Sequence, residues 1–404
     1  MVDDSTAPLE IGSTLANMVS GERLWRRHME MAEIGAILGG GVNRQALSAG
    51  DIKARDLLIK WGRQIGLAEA VDPIANLFLR LEGRDPERPP LLIGSHMDSQ
   101  PAGGRFDGIY GVLAGLEVVE AYVAADVRPE RSIEVVAWTN EEGSRFAPGS
   151  MGSLCFAGQA NPEDFHEVCD DTGVSLADAL RATLAATPDA AKRSLGFPIA
   201  GFLEAHIEQG PILEQEGIHV GIVQGVQGSR QYEVYVSGEA AHAGTTPSSV
   251  RRDALQHACH LITKLYEALS DPEDTLRFTV GRISVHPNTP NSVADEVMFS
   301  IDLRHPDEKT LDYASDRIVQ VVESVRLAEK KSCNVELKGV ARRAPCQFHP
   351  GVTEALSQAT KALSIPSRSL MSGAFHDAQA IASVAPTAMV FVPCHLGISH
   401  NPAE

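Results

Sequence analysis

LLIGSHMDSQPAGGRFDG, residues 91–108, is an apolar run that ends at a glycine and continues into a loop with one histidine and two aspartates. This pattern predicts a buried strand that delivers polar side chains at its carboxyl end, where open α/β sheets bind their ligands. His96 offers an imidazole, Asp107 offers a carboxylate, and Asp98 is able to orient the His96 ring from behind. Taken alone, the stretch fits either a metal site or a solvated glycine-rich turn.

Strands and helices alternate around this stretch and again near residue 390. Strands are predicted over 76–81, from Leu91, and over 132–138, 217–224 and 387–392. Helices are predicted from about Ala49 and over Ile109–Ala124, whereas residues 1–20 look like a loose lead-in. This alternation indicates an α/β fold with a largely parallel sheet that is covered by helices.

The order of the predicted strands and helices changes from Arg230 onward. A strand, a helix, two strands, a helix and a strand are predicted over 231–237, 250–269, 275–285, 293–304, 308–327 and 333–340. The order βαββαβ is typical of a small two-layer, ferredoxin-like domain. We therefore predict a site-bearing domain made of residues 1–226 and 344–404, and an inserted domain made of residues 227–343.

Composition and charge exclude several classes of partner. A chain of 404 residues exceeds the usual size of one core, and its net charge of −18 argues against nucleic acid and anionic membranes as partners. The six cysteines form no CxxC pair, which favours reduced thiols. The sequence shows no basic leader followed by an apolar segment and no apolar run of membrane-spanning length. We therefore expect a cytoplasmic protein.

Further candidate ligands lie beyond the opening stretch. Glu141 and Glu142 follow the apolar strand over 133–138, and adjacent carboxylates repel each other unless a cation or proton lies between them. An exposed acidic turn is the alternative for this pair, and a lone histidine such as His206 or His400 is more often a packed or surface residue than a ligand. Together, five groups suit a pair of divalent ions bridged by one carboxylate: His96, Asp107, Glu142, His206 and His400.

An ordered set of motifs resembles one known family. The motifs are GSHMDSQPAGGRFDG, WTNEEGSRF, EAHIEQGPILE, GEAAHAGTTP, PNTPNSV, DLRHP, SGAFHDA and GISHNPAE. They are similar to those of the M20-type co-catalytic metal amidohydrolases, and more narrowly of the hydantoinase/carbamoylase branch. That branch holds N-carbamoyl-L-amino-acid hydrolases, β-ureidopropionases and allantoate amidohydrolases. The resemblance covers the chain from about residue 20 onward and implies a catalytic metal domain with an inserted lid domain that also dimerises.

The resemblance implies a role for each matched residue of the metal site. Glu141 would be the general base for a water that two divalent ions acidify. Nitrogen and oxygen ligands admit Zn, Mn, Co or Ni. In each subunit, one ion would be held by His96 and His206, the other by Glu142 and His400, and Asp107 would bridge the two.

The resemblance also implies residues that recognise the substrate. His242 would reach across a homodimer to stabilise the oxyanion. Arg304 is expensive to bury without an anion and would bind the substrate carboxylate, although a structural salt bridge is an equally good interpretation of the residue alone. Asn291 would lie beside Arg304, and Gln209 and His376 would contact the ureido end or line the site.

Three functions follow as hypotheses. The first is hydrolysis of N-carbamoyl-L-amino acids or related ureido acids with a free carboxylate, releasing amino acid, ammonia and carbon dioxide; WTNEEGSRF and HIEQG favour it. The second is hydrolysis of an N-acyl-amino acid or a dipeptide on the same fold. The third, a non-catalytic binding protein, would need a missing ligand or base. The chain departs from the family at Phe375, where a small residue is usual; this residue either narrows the pocket near His376 or points outward.

Overall fold

The computed structural model describes the backbone of residues 7–328 and 333–404 and divides the chain into two compact units. The first unit comprises Met1–Gly225 and Gln347–Glu404, and the second comprises Val226–Cys346. Within the described residues, no helix is both long enough and apolar enough to cross a membrane.

The helices and strands follow one another along both units. The helices are α1 (Ala7–Met18), α2 (Gly21–Ala32), α3 (Ala49–Gln64), α4 (Ile109–Ala124), α5 (Met151–Phe156), α6 (Leu176–Ala185), α7 (Ile212–Glu216), α8 (Ala254–Ala268), α9 (Glu308–Ala328), α10 (Pro350–Ala362) and α11 (Asp377–Ile381). The strands are β1 (Ala68–Val71), β2 (Leu77–Leu81), β3 (Leu91–His96), β4 (Ile133–Trp138), β5 (Ala191–Lys192), β6 (Gly201–Ile207), β7 (Val220–Val226), β8 (Gly228–Ser237), β9 (Ala241–His242), β10 (Arg277–Thr279), β11 (Ile283–His286), β12 (Ser292–Val293), β13 (Glu296–His305), β14 (Asn334–Arg343), β15 (Cys346–Gln347), β16 (Ser367–Ser372) and β17 (Thr387–Val392).

The first unit is built on a mixed sheet. Its strand order is β15-β7-β17-β6-β3-β4-β2-β1-β5, and β16 also pairs with β7. The central strands β17, β6, β3 and β4 run parallel to one another, whereas β7 pairs with β17, and β2 with β4 and β1, in antiparallel fashion. The fold is therefore α/β as predicted, but the expectation of a largely parallel sheet holds only for its centre.

The central strands β3 and β4 are almost completely buried. All six residues of β4 are buried, and β3 is buried from its second residue onward. Burial of successive residues is typical of strands covered on both faces. The helix α4 packs on β3, β4 and β6 through side chains that are fully buried, among them Val112, Leu113 and Leu116.

One expectation about the beginning of the chain is wrong. Residues 7–18 form the helix α1, which packs against α4, instead of a loose lead-in. A segment of this length is a marginal helix by itself, and packing against a neighbour supplies most of the stability of such a helix in a protein. A sequence pattern does not reveal that neighbour.

The second unit contains an antiparallel sheet with helices on one face. Its strand order is β10-β13-β8-β14, with β11 also paired to β13, so the chain follows the order βαββαβ with the second strand broken in two. The helices α8 and α9 pack on β8 and β13 and bury a separate core that includes Leu261, Phe299 and Ile318. Arg230 is buried and contacts Glu308 at 2.6 Å and Asp312 at 3.1 Å, so it is a structural residue of this unit.

Candidate metal centre

The four parallel strands of the first unit bring the predicted ligands to one edge of the sheet. His96 is the last residue of β3, and His206 is the last but one of β6. Asp107 lies between β3 and α4, Glu142 follows β4, and His400 follows β17. Parallel neighbouring strands end at the same edge, which is where ligands bind to open α/β sheets.

Asp107 is the centre of this arrangement. One carboxylate oxygen, Oδ1, lies 3.1 Å from Nε2 of His206 and 3.7 Å from Nε2 of His96. The other oxygen, Oδ2, lies 3.3 Å from Nε2 of His400, which is itself 3.4 Å from Oε2 of Glu142. The two oxygens of one buried carboxylate therefore face two separate groups of potential ligand atoms.

These groups fit divalent metal ions. Two ligand atoms bound to one tetrahedral ion at 2.0–2.1 Å are about 3.3 Å apart, and the separations around Asp107 are close to this value. The site also carries an excess of negative charge. Burial, followed by the charges of Asp377 and Glu142, raises the pKa of Glu141 well above its ordinary value. Cations bound among these carboxylates would relieve that repulsion.

The backbone fixes the orientation of two histidine rings. Nδ1 of His96 lies 2.9 Å from the carbonyl oxygen of Asp98, and Nδ1 of His206 lies 2.9 Å from the carbonyl oxygen of Ile207. A ring that donates from Nδ1 presents the lone pair of Nε2, which in both rings faces Asp107. Gly108, at φ +66°, makes room for the His96 ring, because a Cβ at this position would lie 2.2 Å from it.

Glu204, His206 and His376 form a third group of possible ligands. This group shares His206 with the group that contains His96 and Asp107, so both groups would need the same ring nitrogen of His206. Since Nδ1 of His206 is engaged with a carbonyl group, only Nε2 could serve either group. The carboxylate of Glu204 already accepts hydrogen bonds from Oγ of Ser95 at 2.6 Å and from the amide of Ala378 at 2.9 Å. His376 packs its ring 4.5 Å from that of His206, and burial lowers its pKa well below the ordinary value. His376 therefore lines the site as an uncharged ring.

Asp98 contacts the candidate base through its carboxylate. Oδ1 accepts a hydrogen bond from the amide of Glu141 and Oδ2 accepts one from the amide of Glu142, both at 3.2 Å. Its carboxylate lies 3.7 Å from Nδ1 of His96, farther than its carbonyl oxygen. Burial raises the pKa of Asp98 to about 8. Asp98 thus lies behind His96 and holds the backbone of the Glu141–Glu142 pair.

Several residues that touch the candidate ligands did not stand out in the sequence. Gln100 donates to both carboxylate oxygens of Glu142, from its amide at 3.1 Å and from Nε2 at 2.7 Å. Ser399 donates to Oδ2 of Asp107 at 3.1 Å, as does Gln209, which was predicted to line the site. Gln100 and Ser399 both lie inside the quoted motifs. Their place in these motifs was the only sequence feature that could have pointed to them.

Glu404 holds the loop that carries Asp107. Its Oε1 accepts hydrogen bonds from the amides of Phe106 and Asp107, at 3.0 and 2.9 Å. Burial, followed by the charge of Asp107, raises the pKa of Glu404 to about 7. This residue also lies within a quoted motif, GISHNPAE, without having been singled out.

The remaining predicted residues belong to the second unit. His242 lies opposite Ser292 in the ladder between β9 and β12, and the amide of Ala243 donates to the carbonyl of Asn291 at 2.9 Å. His242 and Asn291 are therefore neighbours. Nδ1 of His242 accepts hydrogen bonds from the amides of Gly244 and Thr245, at 3.1 and 3.2 Å.

Arg304 is partly exposed and forms the salt bridge that the sequence left open as one of its two interpretations. Its side chain is 40% exposed, and its Nε lies 2.7 Å from Oδ1 of Asp302. The two residues are two positions apart on β13, so they project from the same face of the strand. The sequence SIDLR contained this signal, because its acidic and basic residues have the spacing of a same-face pair.

Known proteins resemble this chain over nearly its whole length. Residues 92–404 match the profile described as Peptidase family M20/M25/M40. An N-carbamoyl-L-amino-acid amidohydrolase from a Pseudomonas species is 39% identical over 392 residues, which is 96% of this chain and 94% of the relative. The allantoate amidohydrolase of Escherichia coli is 34% identical over 378 residues, with 93% and 90% of the two chains covered.

A solved structure agrees with these relatives. The crystal structure of an amidase of the hydantoinase/carbamoylase family from Burkholderia multivorans is 41% identical and has a TM-score of 0.87, with 95% of this chain and 92% of that chain covered. The resemblance that the motifs indicated is thereby confirmed. This chain, with its candidate metal ligands at the carboxyl edge of an α/β sheet, belongs to peptidase family M20/M25/M40.

Proposed function

We propose that this protein hydrolyses the C–N bond of N-carbamoyl-L-amino acids or closely related ureido acids, releasing amino acid, ammonia and carbon dioxide. The observation that carries the proposal is the carboxylate of Asp107, whose two oxygens face two groups of ligand atoms with Glu141 beside them. Chains similar to this one along more than nine-tenths of its length are named N-carbamoyl-L-amino-acid and allantoate amidohydrolases.

We assign two divalent ions, Zn, Mn, Co or Ni, to these groups. Bound ions would supply positive charge that acidifies a water and polarises the carbonyl of the substrate. His96 and His206 would hold one ion and Glu142 and His400 the other, with Asp107 between them. The hydrogen bonds from Gln100 would keep the carboxylate of Glu142 turned toward His400.

Glu141 acts as the general base in this proposal. Its carboxylate lies 3.6 Å from Nε2 of His96, beside the first ligand group. It accepts a proton from the attacking water and passes that proton to the departing nitrogen. Burial and the neighbouring carboxylates raise the pKa of Glu141, and bound cations would offset the repulsion among these carboxylates and leave Glu141 deprotonated to accept the proton.

His242 is the proposed donor to the developing oxyanion. Because its Nδ1 accepts two backbone hydrogen bonds, the ring proton belongs on Nε2, and a neutral ring of this kind donates from Nε2. A donor placed where negative charge develops stabilises the transition state more than the substrate.

We assign recognition of the substrate carboxylate to Arg304 together with Asn291. A guanidinium group binds a carboxylate through two parallel hydrogen bonds, and Arg304 would share its charge between Asp302 and the substrate. Gln209 and His376 would contact the ureido end. We assign residues 1–226 and 344–404 to the catalytic domain and residues 227–343 to a lid that also forms a homodimer.

A panel of substrates tests the proposal. The purified protein is stripped with a chelator, reloaded with Mn or Zn, and offered N-carbamoyl-L-amino acids, N-carbamoyl-β-alanine and allantoate. Ammonia release that depends on the added metal is the expected result. N-acetyl amino acids, N-formyl amino acids and dipeptides are assayed beside them for free amine. Turnover of these compounds alone would replace the proposal by an N-acyl-amino-acid or dipeptide hydrolase, and no turnover of any compound by metal-loaded protein would contradict both.

A further inference from the structure

Glu141 and Glu142 lie in a closed loop, here called the base loop and defined as residues 139–152. Its two ends run side by side. The amide of Gly152 donates to the carbonyl of Thr139 at 2.9 Å, and the amide of Ser150 donates to the carbonyl of Glu141 at 2.9 Å. The position of the Glu141 side chain therefore depends on how these two ends are held together.

One buried amide contacts both ends of the base loop. Oδ1 of Asn76 accepts a hydrogen bond from the amide of Thr139 at 2.9 Å, and Nδ2 of Asn76 donates to the carbonyl of Gly152 at 3.0 Å. Asn76 is completely buried and immediately precedes β2. A Cβ on Gly152 would lie 2.2 Å from Oδ1 of Asn76, so the amide fits closely against the loop.

The amide of Asn76 is itself fixed by Asp72. The buried carboxylate of Asp72 accepts hydrogen bonds from the backbone amide of Asn76 at 2.9 Å and from its Nδ2 at 2.8 Å. Nδ2 thus faces two acceptors while Oδ1 faces one donor, which sets the orientation of the side chain. An amide turned the other way would direct its NH2 group at the amide of Thr139 and its oxygen at two oxygen atoms.

A second buried side chain holds the first end of the loop. Arg55 donates from Nη2 to Oγ1 of Thr139 at 3.2 Å and from Nη1 to the carbonyl of Ala75 at 2.5 Å. Arg55 touches only the Thr139 end, whereas Asn76 bridges Thr139 and Gly152. Of these two side chains, Asn76 is therefore the one that adds to the backbone hydrogen bonds closing the loop.

We propose that Asn76 is a positioning residue, whose amide clamps the two ends of the base loop and so fixes the carboxylate of Glu141 beside His96. This inference rests on the proposed function, in which Glu141 is the general base. Asn76 acts through the loop only. Since a displacement of about 1 Å at a reacting group costs roughly 100-fold in rate, the fit of this amide would control turnover.

Two substitutions test this clamp, one in Asn76 and one in its partner Gly152. Asn76→Asp keeps the shape of the side chain but replaces the donor Nδ2 by an oxygen that faces Asp72 and the carbonyl of Gly152. Gly152→Ala keeps the Asn76 side chain chemically unchanged but places a methyl group 2.2 Å from its Oδ1 and 2.5 Å from the backbone nitrogen of Thr139, so the two ends of the loop must separate. Val119→Ala is the control, because it creates a small cavity in the α4 core and changes no hydrogen bond. All three are compared with the wild type as folded, metal-loaded proteins.

We expect kcat for the ureido substrate to fall about 10- to 100-fold in Asn76→Asp and in Gly152→Ala, with KM changed less than about threefold. Val119→Ala should keep the wild-type kcat. Hydrogen–deuterium exchange without substrate provides a second readout. Amides of the base loop, Ser150 and Gly152 above all, should exchange roughly tenfold faster in the two clamp variants and unchanged in the control.

Wild-type kcat and wild-type exchange in folded Asn76→Asp would overturn the inference. Equal losses in Val119→Ala would overturn it as well, because they would mean general destabilisation. If the wild-type protein turned over no ureido acid, the proposed function would fail by itself. The exchange measurement would then still decide whether Asn76 holds the base loop.

Discussion

Glu141 and Glu142 are adjacent in the sequence, yet their surroundings differ. Glu142 accepts two hydrogen bonds from Gln100 and lies 3.4 Å from Nε2 of His400. Burial and the charge of Asp107 raise its pKa, although His400 and Gln100 act in the opposite direction. Glu141 has its backbone held by Asp98, and its pKa is raised well above the ordinary value. The surroundings suit Glu142 to bind a cation and Glu141 to carry a proton.

Glu141→Gln tests this division at the scale of one residue. The amide keeps the shape of the side chain but cannot accept the proton, so kcat should fall about 10²- to 10⁴-fold. Bound metal should stay at the wild-type amount, because none of the proposed ligands is changed. Steady-state kinetics and elemental analysis of the same samples measure both quantities.

The matched control is Glu163→Gln, which makes the same chemical change at an exposed glutamate. It should leave both quantities unchanged. Wild-type turnover by Glu141→Gln would remove its role as base. A loss of metal together with the loss of turnover would instead make it a ligand.

The sequence indicated most residues of the site because strand ends and motif order carry that information. It missed Gln100 and Ser399, since a polar residue in a loop has no periodic pattern and its partner is decided by the folded chain. It left two interpretations of Arg304 open, and the salt bridge with Asp302, a neighbour on the same strand face, is the one that the folded chain forms. The sequence therefore predicted which residues could bind a metal, but it did not predict which loop residues form hydrogen bonds with them.

At the scale of elements, prediction succeeded where the pattern was strong. The predicted bounds of α4 and β17 agree with the structure, because each is a long apolar segment between clear turn signals. The helix α1 was missed because its stability comes from packing against α4. The strand β6, which carries His206, was not distinguished from the turn and helix that follow it.

The contact between α2 and α4 includes a buried histidine. His28 stacks on Tyr110, with ring centroids 5.8 Å apart, and neither of its ring nitrogens has a hydrogen-bond partner. Burial, and then the charge of Arg44, lowers its pKa from 6.5 to about 4. The folded protein therefore holds this ring neutral at pH values where the unfolded chain protonates it.

This contact predicts a pH dependence of stability. Between pH 6.5 and about 4 the unfolded chain binds more protons at His28 than the folded chain, so stability falls as the pH falls through this window. The full loss is about 3 kcal/mol in the free energy of unfolding, since one pKa unit corresponds to about 1.4 kcal/mol. His28→Phe keeps an aromatic ring in place and cannot be protonated, so its stability should depend less on pH in this window.

Urea unfolding of metal-free wild type and His28→Phe, at about pH 7.5 and about pH 5, measures this difference. Subtracting one protein from the other removes the contribution of the remaining titratable groups. An equally steep loss of stability in both proteins would show that His28 is not held neutral in the folded state.

At the scale of the whole molecule, the two units have separate cores and contribute different chemistry. The proposed metal ligands belong to the first unit, and His242, Asn291 and Arg304 belong to the second. In the proposed homodimer, each active site would contain residues from both subunits. That arrangement is testable with two inactive variants.

His242→Ala and Arg304→Ala should each lose most activity alone. If each site takes His242 from one subunit and Arg304 from the other, a mixed dimer contains one site with both residues intact. Equal mixing with complete subunit exchange would then restore about a quarter of the wild-type activity, because half of the dimers are mixed and half of their sites are intact. Each variant carried alone through the same exchange protocol is the control. No recovery after exchange, with mixed dimers detected by mass, would mean that one subunit supplies both residues.

The strand order of the large sheet also constrains how the protein is made. β17 lies between β6 and β7, although 160 or so residues of chain follow β7 before β17 is reached. During translation the sheet of the first unit therefore lacks its strand between β6 and β7 until β17 is synthesised. By then, Val226–Cys346 already has all the residues of its own core. The residues of the second core are thus all synthesised before the first unit has every strand of its sheet. His400, which follows β17, is synthesised after the other proposed ligands, so a nascent chain has no complete metal site to load until the gap in its sheet is closed.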